Sequence, residues 1–252
     1  MSTKTRQKRV TRKPAFAEIN EEVAISIKQK LTLNLKRIEP LTKNQELVFK
    51  YRNEHQLLYG SAGTGKTFLA LYHALDDIIE RELFKKVIII RSICETRKIG
   101  FLPGTEKEKS AAYELPYQEI CAKLFARPDA YEVLKAKGII DFRTTSFLRG
   151  ITLSDCVIIF DEFQNETSHG INSVMTRVGS DSRMVICGDV TQDDLRQHRE
   201  ISGAKDTIKV LEAMDVFTKV HFELEDIVRS GFVKSYLTAR SYLEKSGAIA
   251  RL

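Results

Sequence analysis

The chain has 252 residues, 42% of them apolar, and a formal charge of +6; this is enough to bury a sizeable core and suits one embellished domain better than two. No uninterrupted apolar run approaches the roughly 18 residues that a membrane helix needs, and the N-terminus shows no apolar signal segment, so a cytoplasmic protein without a membrane partner is expected. Cys94, Cys121, Cys156 and Cys187 are far apart and lack C-x-x-C spacing, which argues against a structural zinc or a disulfide framework.

The first thirteen residues hold Lys4, Arg6, Lys8, Arg9, Arg12 and Lys13 and no acid, leaving 34 basic and 34 acidic groups in the rest of the chain. Residues 1–20 are read as a basic flexible arm, suited to polyphosphate backbones through counterion release and equally to a solubilising role. Ile25, Ile27, Leu31, Leu33 and Leu35 fall on odd positions, so residues 21–40 are expected to form a short β-rich lead-in that stops at Pro40. The remainder, 41–252, reads as one α/β domain. It opens on a helix whose start, Thr42-Lys43-Asn44-Gln45, presents polar side chains ahead of Leu47, Val48 and Tyr51.

Strands are expected at Leu57-Tyr59, Val87-Ile90, Val157-Phe160, Met184-Cys187 and Phe217-Phe222, with a weaker one at Ile139-Phe142. Several are almost wholly apolar rather than alternating, as parallel strands covered on both faces should be. Helical stripes fall between them at Tyr117, Ile120, Cys121, Leu124; at Ile171, Val174, Met175, Val178; and at Ala204, Ile208, Leu211, with a last amphipathic helix from Phe232 to Leu243. Alternation of this kind predicts a mostly parallel sheet flanked by helices, with ligands at the carboxyl ends of the strands. Between Ser92 and Glu114 lies a long polar connection containing Gly100-Phe-Leu-Pro-Gly104, either a contact element or a plug against the domain.

The octapeptide Gly60-Ser61-Ala62-Gly63-Thr64-Gly65-Lys66-Thr67 fits G-x-x-x-x-G-K-[ST] between a strand and a helix, the context of a phosphate-binding loop. Its backbone N–H groups can cradle phosphates, Lys66 can neutralise them, and Thr67 can offer a hydroxyl to Mg²⁺. Val157 to Phe160 ends in Asp161-Glu162, where a parallel sheet would bring Asp161 to the metal and Glu162 to a hydrolytic water. The next strand ends in Gly188-Asp189-Val190-Thr191-Gln192; Gln192 can report on a terminal phosphate, or the segment can simply turn. Arg229 and Arg177 are candidates for clamping charge that develops on a transferred phosphoryl group.

With these stretches the chain resembles the PhoH family of ATPases, the phosphate-starvation-inducible group, and in particular compact versions carried by large tailed bacteriophages. The resemblance rests on Gly60 to Leu69, Arg91, Gly100 to Gly104, Arg149-Gly150, Asp161-Glu162 with Gln164-Asn165, Thr176 to Gly179, Gly188 to Leu195 and Ile227 to Arg229. It implies a RecA-like P-loop NTPase core related to superfamily 1 helicases, with ATP and Mg²⁺ as cofactors and Gly60 through Phe68 contacting the nucleotide. It further implies that Gln45 reads the adenine, that Lys66, Glu162, Gln192 and Arg229 serve catalysis, and that Arg91, Arg149 and Arg177 contact the strand or a neighbouring subunit. Phe163, where the family generally has alanine, and Ser92, where proline is common, depart from the pattern; Phe163 adds volume beside the proposed base.

Only one set of motifs fits this length, so a homo-oligomeric ring, six-membered as proposed for the family, is expected to complete the site and to act on single-stranded RNA or DNA. The rival readings are a nucleotide-gated switch or chaperone for a protein partner, and a small-molecule kinase for which no acceptor-binding residues stand out.

Overall fold

The computed structural model describes residues 33–92, 106–148, 150–189 and 201–249. The basic arm, most of the alternating run, Gly100 to Gly104, Arg149 and Gln192 lie outside the described residues. Residues 33–40 are irregular, so the expected lead-in strand does not extend through Leu35. Instead the segment is pinned by side and main chain: Lys36 N donates to the Leu124 carbonyl at 2.9 Å and Ile38 N to the Tyr72 hydroxyl at 3.3 Å.

Helix α1 (Lys43–Lys50) is capped by Thr42, whose hydroxyl accepts from Gln45 N. Strand β1 (His55–Gly60) leads through the glycine-rich loop into α2 (Lys66–Ile79), and β2 (Lys86–Arg91) follows. Next come α3 (Glu106–Phe125), α4 (Ala130–Ala136) and β3 (Ile140–Thr144). The chain continues with β4 (Cys156–Asp161), α5 (Ser168–Met175), β5 (Arg183–Gly188), α6 (Ala204–Ala213), β6 (Phe217–Phe222) and α7 (Gly231–Lys245). The expected strands and most of the expected stripes fall inside these elements, Ile139 lying one residue before β3 and Val178 just past the end of α5; α4, seven residues without a long stripe, is an addition.

The six strands lie in the order β3-β2-β4-β5-β1-β6 and every ladder is parallel. This is a P-loop NTPase-like α/β arrangement, in which β5 separates the loop-bearing strand β1 from the acid-bearing strand β4. Because the strands run together, the carboxyl ends of β1, β4 and β5 share one edge. β4 and β5 are buried at all six positions, which explains the unbroken apolar runs at 156–160 and 184–187. One face packs Ile88, Ile90, Ile158, Phe160 and Ile186 against Ile171 and Val174 of α5 and Leu211 of α6, with Met175 at the margin. Helix α2 covers β2, β4 and β5 and buries most of its own length. No described helix is long and apolar enough to cross a membrane.

Helix α2 also buries His73, which packs edge-on against Phe49 at 4.4 Å and has no hydrogen-bond partner at either nitrogen. Burial, reinforced by Arg52, drives its pKa down to about 3. In the unfolded chain the imidazole titrates near 6.5, so between 6.5 and 3 the unfolded state holds the extra proton and stability falls as pH falls. The slope approaches about 1.4 kcal/mol per pH unit. Urea midpoints measured from about pH 6.5 to 5, where ordinary carboxylates stay largely ionised, should drop for the wild type. They should drop less for His73→Leu, and parallel curves would refute this account.

Candidate active site

The glycine-rich loop has the backbone that its sequence requires. Gly60, Gly63 and Gly65 all have positive φ, and a Cβ on Gly60 would lie 2.1 Å from the Phe222 carbonyl oxygen. Gly65 occupies the N-cap of α2 with φ 88 and caps no N–H with a side chain, leaving the first-turn amides facing the cleft. Thr64 is fully buried and its hydroxyl donates to the Ser61 carbonyl at 3.0 Å, closing the loop on itself.

Lys66 Nζ donates to the carbonyls of Gly60 and Ser61 at 2.8 and 2.7 Å, so its ammonium sits over the loop. Burial lowers its pKa, against the pull of Asp189, Glu162 and Asp161 nearby. The adjacent Thr67 hydroxyl donates to Asp161 Oδ1 at 2.8 Å, joining the loop directly to the end of β4. The other carboxylate oxygen, Oδ2, accepts from the Tyr117 hydroxyl at 2.9 Å. Among the described residues no group of three His, Cys, Asp or Glu side chains gathers as a metal cage. A hydroxyl and a carboxylate in contact are nonetheless a fit for Mg²⁺, which takes few protein oxygens and completes its shell with water and phosphate.

Glu162 begins the turn after β4 with φ 53, a left-handed conformation rare for a side chain of this size and typical of functional turns. Gln164 Nε2 donates to Glu162 Oε2 at 2.6 Å, while Gln164 Oε1 accepts from Asp189 N at 3.1 Å. One buried amide thus links the ends of β4 and β5. Burial, together with the negative charge of Asp161, raises the Glu162 pKa and makes it a stronger base than an ordinary carboxylate. Phe163 is fully buried and turns into the core against Phe160, with ring centroids 6.4 Å apart. Its volume is accommodated by Gly188, where a Cβ would come within 2.5 Å of the Phe163 ring and 2.4 Å of Gln164 Oε1.

A cleft of about 540 Å³ opens along this edge, lined by the loop, Arg91, Asp161, Glu162, Asp189 and Arg229. Its lining continues through Ile38, Glu39 and Leu41 and through Pro116, Glu119, Ile120 and Lys123 of α3, apolar side chains interleaved with charged ones. Gln45 is buried beside it with Nε2 donating to the Thr64 carbonyl at 3.0 Å and Oε1 accepting from Leu41 N at 2.8 Å. Arg229 reaches the loop from the same chain: its Cγ would lie 2.9 Å from a Cβ on Gly63, and Val228 N donates to the Gly63 carbonyl at 3.1 Å. Asn44 Nδ2 bonds Asp226 Oδ2 at 2.7 Å, fastening α1 to the turn that carries Arg229.

Arg91 also lines the cleft in cis, packed over the Tyr113 ring at 5.9 Å and close to Tyr117 and Asp161. Arg177 does not line it; it follows α5, and its carbonyl accepts from Leu153 N. The structure therefore brings together Gln45, the loop, Lys66, Thr67, Asp161, Glu162, Arg91 and Arg229, and leaves Arg177 apart. Two participants were not singled out from the sequence. Tyr117 sat within an apolar stripe and read as core, and Gln164 belonged to a matching motif without a role of its own.

The profile of a family described as "PhoH-like protein" matches residues 37–241. A PhoH-like protein of Bacillus subtilis is 32% identical over 216 residues, 84% of this chain and 67% of its own length. One from Mycobacterium tuberculosis strain H37Rv is 30% identical over 215 residues, 84% of this chain and 60% of its own. The chain thus spans about 60% of the length of the first curated relatives it matches. Among solved structures, a large terminase from a thermophilic bacteriophage aligns with a TM-score of 0.46 at 12% identity, over 79% of this chain and 50% of that one, a similarity on which nothing further rests.

Proposed function

This chain belongs to the PhoH-like family, and we propose that it is an Mg²⁺-dependent ATPase whose hydrolysis drives translocation on, or unwinding of, single-stranded RNA or DNA. The observation that carries the reading is the Thr67 hydroxyl held 2.8 Å from Asp161, which ties the phosphate-binding loop to the acid-bearing strand. When bound, Mg²⁺ would sit at that pair and supply positive charge to the phosphate oxygens. The chain's own groups do the rest. Loop amides and Lys66 hold the phosphates, Glu162 takes a proton from water, and Arg229 and Arg91 steady negative charge from above the loop and beside the acids.

The finer parts belong to the same proposal. The core is RecA-like and related to superfamily 1 helicases, in a compact form like those of tailed bacteriophages. Residues 1–20 serve as a basic arm, 21–40 as a lead-in and 41–252 as the ATPase domain. Gln45 senses the adenine with the amide valences that Leu41 and Thr64 leave over, Gln192 couples hydrolysis to the strand, and Arg149 and Arg177 face the strand or a neighbour. Subunits form a ring, to which Arg177, standing off the cleft of its own chain, contributes at the boundary. The site of action is the cytoplasm. A second reading, a nucleotide-gated switch for a protein partner, draws on α7, which has no buried residue and exposes Phe232, Tyr236 and Tyr242.

Phosphate release measured alone, with single-stranded RNA or DNA and with candidate proteins, across a dilution series, separates these readings. Stimulation by nucleic acid supports the first, and stimulation by protein alone overturns it in favour of the second. Lys66→Ala should weaken nucleotide binding at least about tenfold, the worth of a charged hydrogen bond; equal affinities would remove Lys66 from the site.

A further inference from the structure

We propose that Tyr117 is a positioning residue that decides which oxygen of Asp161 is offered to the metal, an inference that rests on the nucleotide-site reading above. Tyr117 is wholly buried on α3, outside the loop and the acidic turn, and its ring lies 5.8 Å from Phe142 of β3. Its hydroxyl meets Asp161 Oδ2 at 2.9 Å while Thr67 meets Oδ1 at 2.8 Å. The direction of the phenol proton is fixed by what surrounds it. At 2.9 Å the O–H points at the carboxylate, which when ionised can only accept, and the nearby Arg91 guanidinium, which can only donate, offers the phenol no competing acceptor.

Two consequences follow for the carboxylate. With Oδ2 engaged by the phenol, chelation by Asp161 through both oxygens is disfavoured, and the two hydrogen bonds hold its plane so that Oδ1, with a lone pair left beside the Thr67 contact, is offered to the cleft. A single oxygen presented at fixed angle matches the near-octahedral demand of Mg²⁺ and discourages the larger cations that accept bidentate carboxylates. Partners of this kind, one bond behind the ligand, change metal affinity by about 10–100-fold when removed. The same helix lines the cleft with Pro116, Glu119, Ile120 and Lys123, so α3 contributes both to the cleft wall and, through Tyr117, to the metal acid.

The test is Tyr117→Phe in the full chain, read by equilibrium binding of a fluorescent ADP with EDTA and with a Mg²⁺ series, and by Mn²⁺ binding to the ADP complex. The expected result is unchanged ADP affinity in EDTA, with the divalent requirement raised about tenfold and Mn²⁺ bound correspondingly more weakly. Divalent curves that overlay the wild type, or an equal loss of affinity in EDTA, would overturn the proposal, since general damage to packing would give the latter. A wild type that binds ADP with no divalent dependence overturns it too. Phosphate release by the wild type is scored separately and judges the ATPase reading alone. Should Tyr117→Phe fail to fold, the wild type carries the test: Ca²⁺ should support ADP binding at least about tenfold less well than Mg²⁺, and equal support by the two cations would overturn the proposal.

Discussion

Glu162→Gln is expected to reduce turnover by about 10²–10⁴-fold, the contribution of a positioned general base, while leaving nucleotide affinity intact. The substitution is close to a pure removal of charge and basicity. Glutamine keeps an oxygen that can accept from Gln164 Nε2, the contact made at 2.6 Å by Glu162 Oε2, so the left-handed turn and its link to Asp189 N survive. What is lost is the proton acceptor whose basicity burial and Asp161 raise. Single-turnover phosphate release and equilibrium nucleotide binding, measured side by side, decide the matter. Retained turnover would show that Glu162 is not the base; lost binding would show that it supports the nucleotide rather than the water. The contrast with Lys66→Ala, where affinity itself should fall, assigns the two sides of the cleft to separate tasks.

The sheet was legible in the sequence because parallel strands covered on both faces are written as unbroken apolar runs. Val157 to Phe160 and Met184 to Cys187 have few other readings, and both are fully buried. The loop was legible because its glycines are dictated by backbone conformation and close approach, as at Gly60 against Phe222. Side chains whose role depends on a partner distant in sequence were not. Tyr117 acquires its meaning only when α3 sets it against Asp161, 44 positions away. An aromatic at helical spacing carries no sign of where its hydroxyl points. Gly188 gave no hint that it makes room for Phe163, the residue whose bulk had looked out of place beside the acids. Asp76-Asp77 is a pair of acids late in a helix, indistinguishable by pattern from a solvated face; the fold buries Asp77 completely.

That buried acid supports the second large effect: Asp77→Ala should cost about 3–5 kcal/mol of stability, the penalty for leaving a buried charge without its partner. Asp77 Oδ1 accepts from Arg52 Nη2 and Arg81 Nη1, each at 2.7 Å, and Oδ2 faces Arg183 Nη1 at 2.5 Å. Arg81, one helical turn on, and Arg52 and Arg183, distant in sequence, thereby converge on one carboxylate. Arg52 and Arg81 have some access to water, and Arg52 retains Asp76 at 2.5 Å, so they can relax. Arg183 cannot: its side chain is 5% exposed, beneath Phe84 at 5.4 Å. The Coulomb attraction in the intact cluster largely offsets the cost of removing these charges from water, so the cluster need add little net stability even though breaking it is severe. This distinction makes the prediction sharp. Urea unfolding of Asp77→Ala should show the large loss, and Asp77→Ala with Arg183→Leu should recover a substantial part of it by removing the stranded cation; a small loss in the single variant, or no recovery in the double, would refute the account. Because Asp77 lies near the end of α2 and Arg183 at the start of β5, the cluster fastens the helix whose opposite end carries Lys66 and Thr67. Any folded fraction of the single variant should therefore bind nucleotide less tightly as well, through a loop whose supporting helix is no longer fixed at its far end.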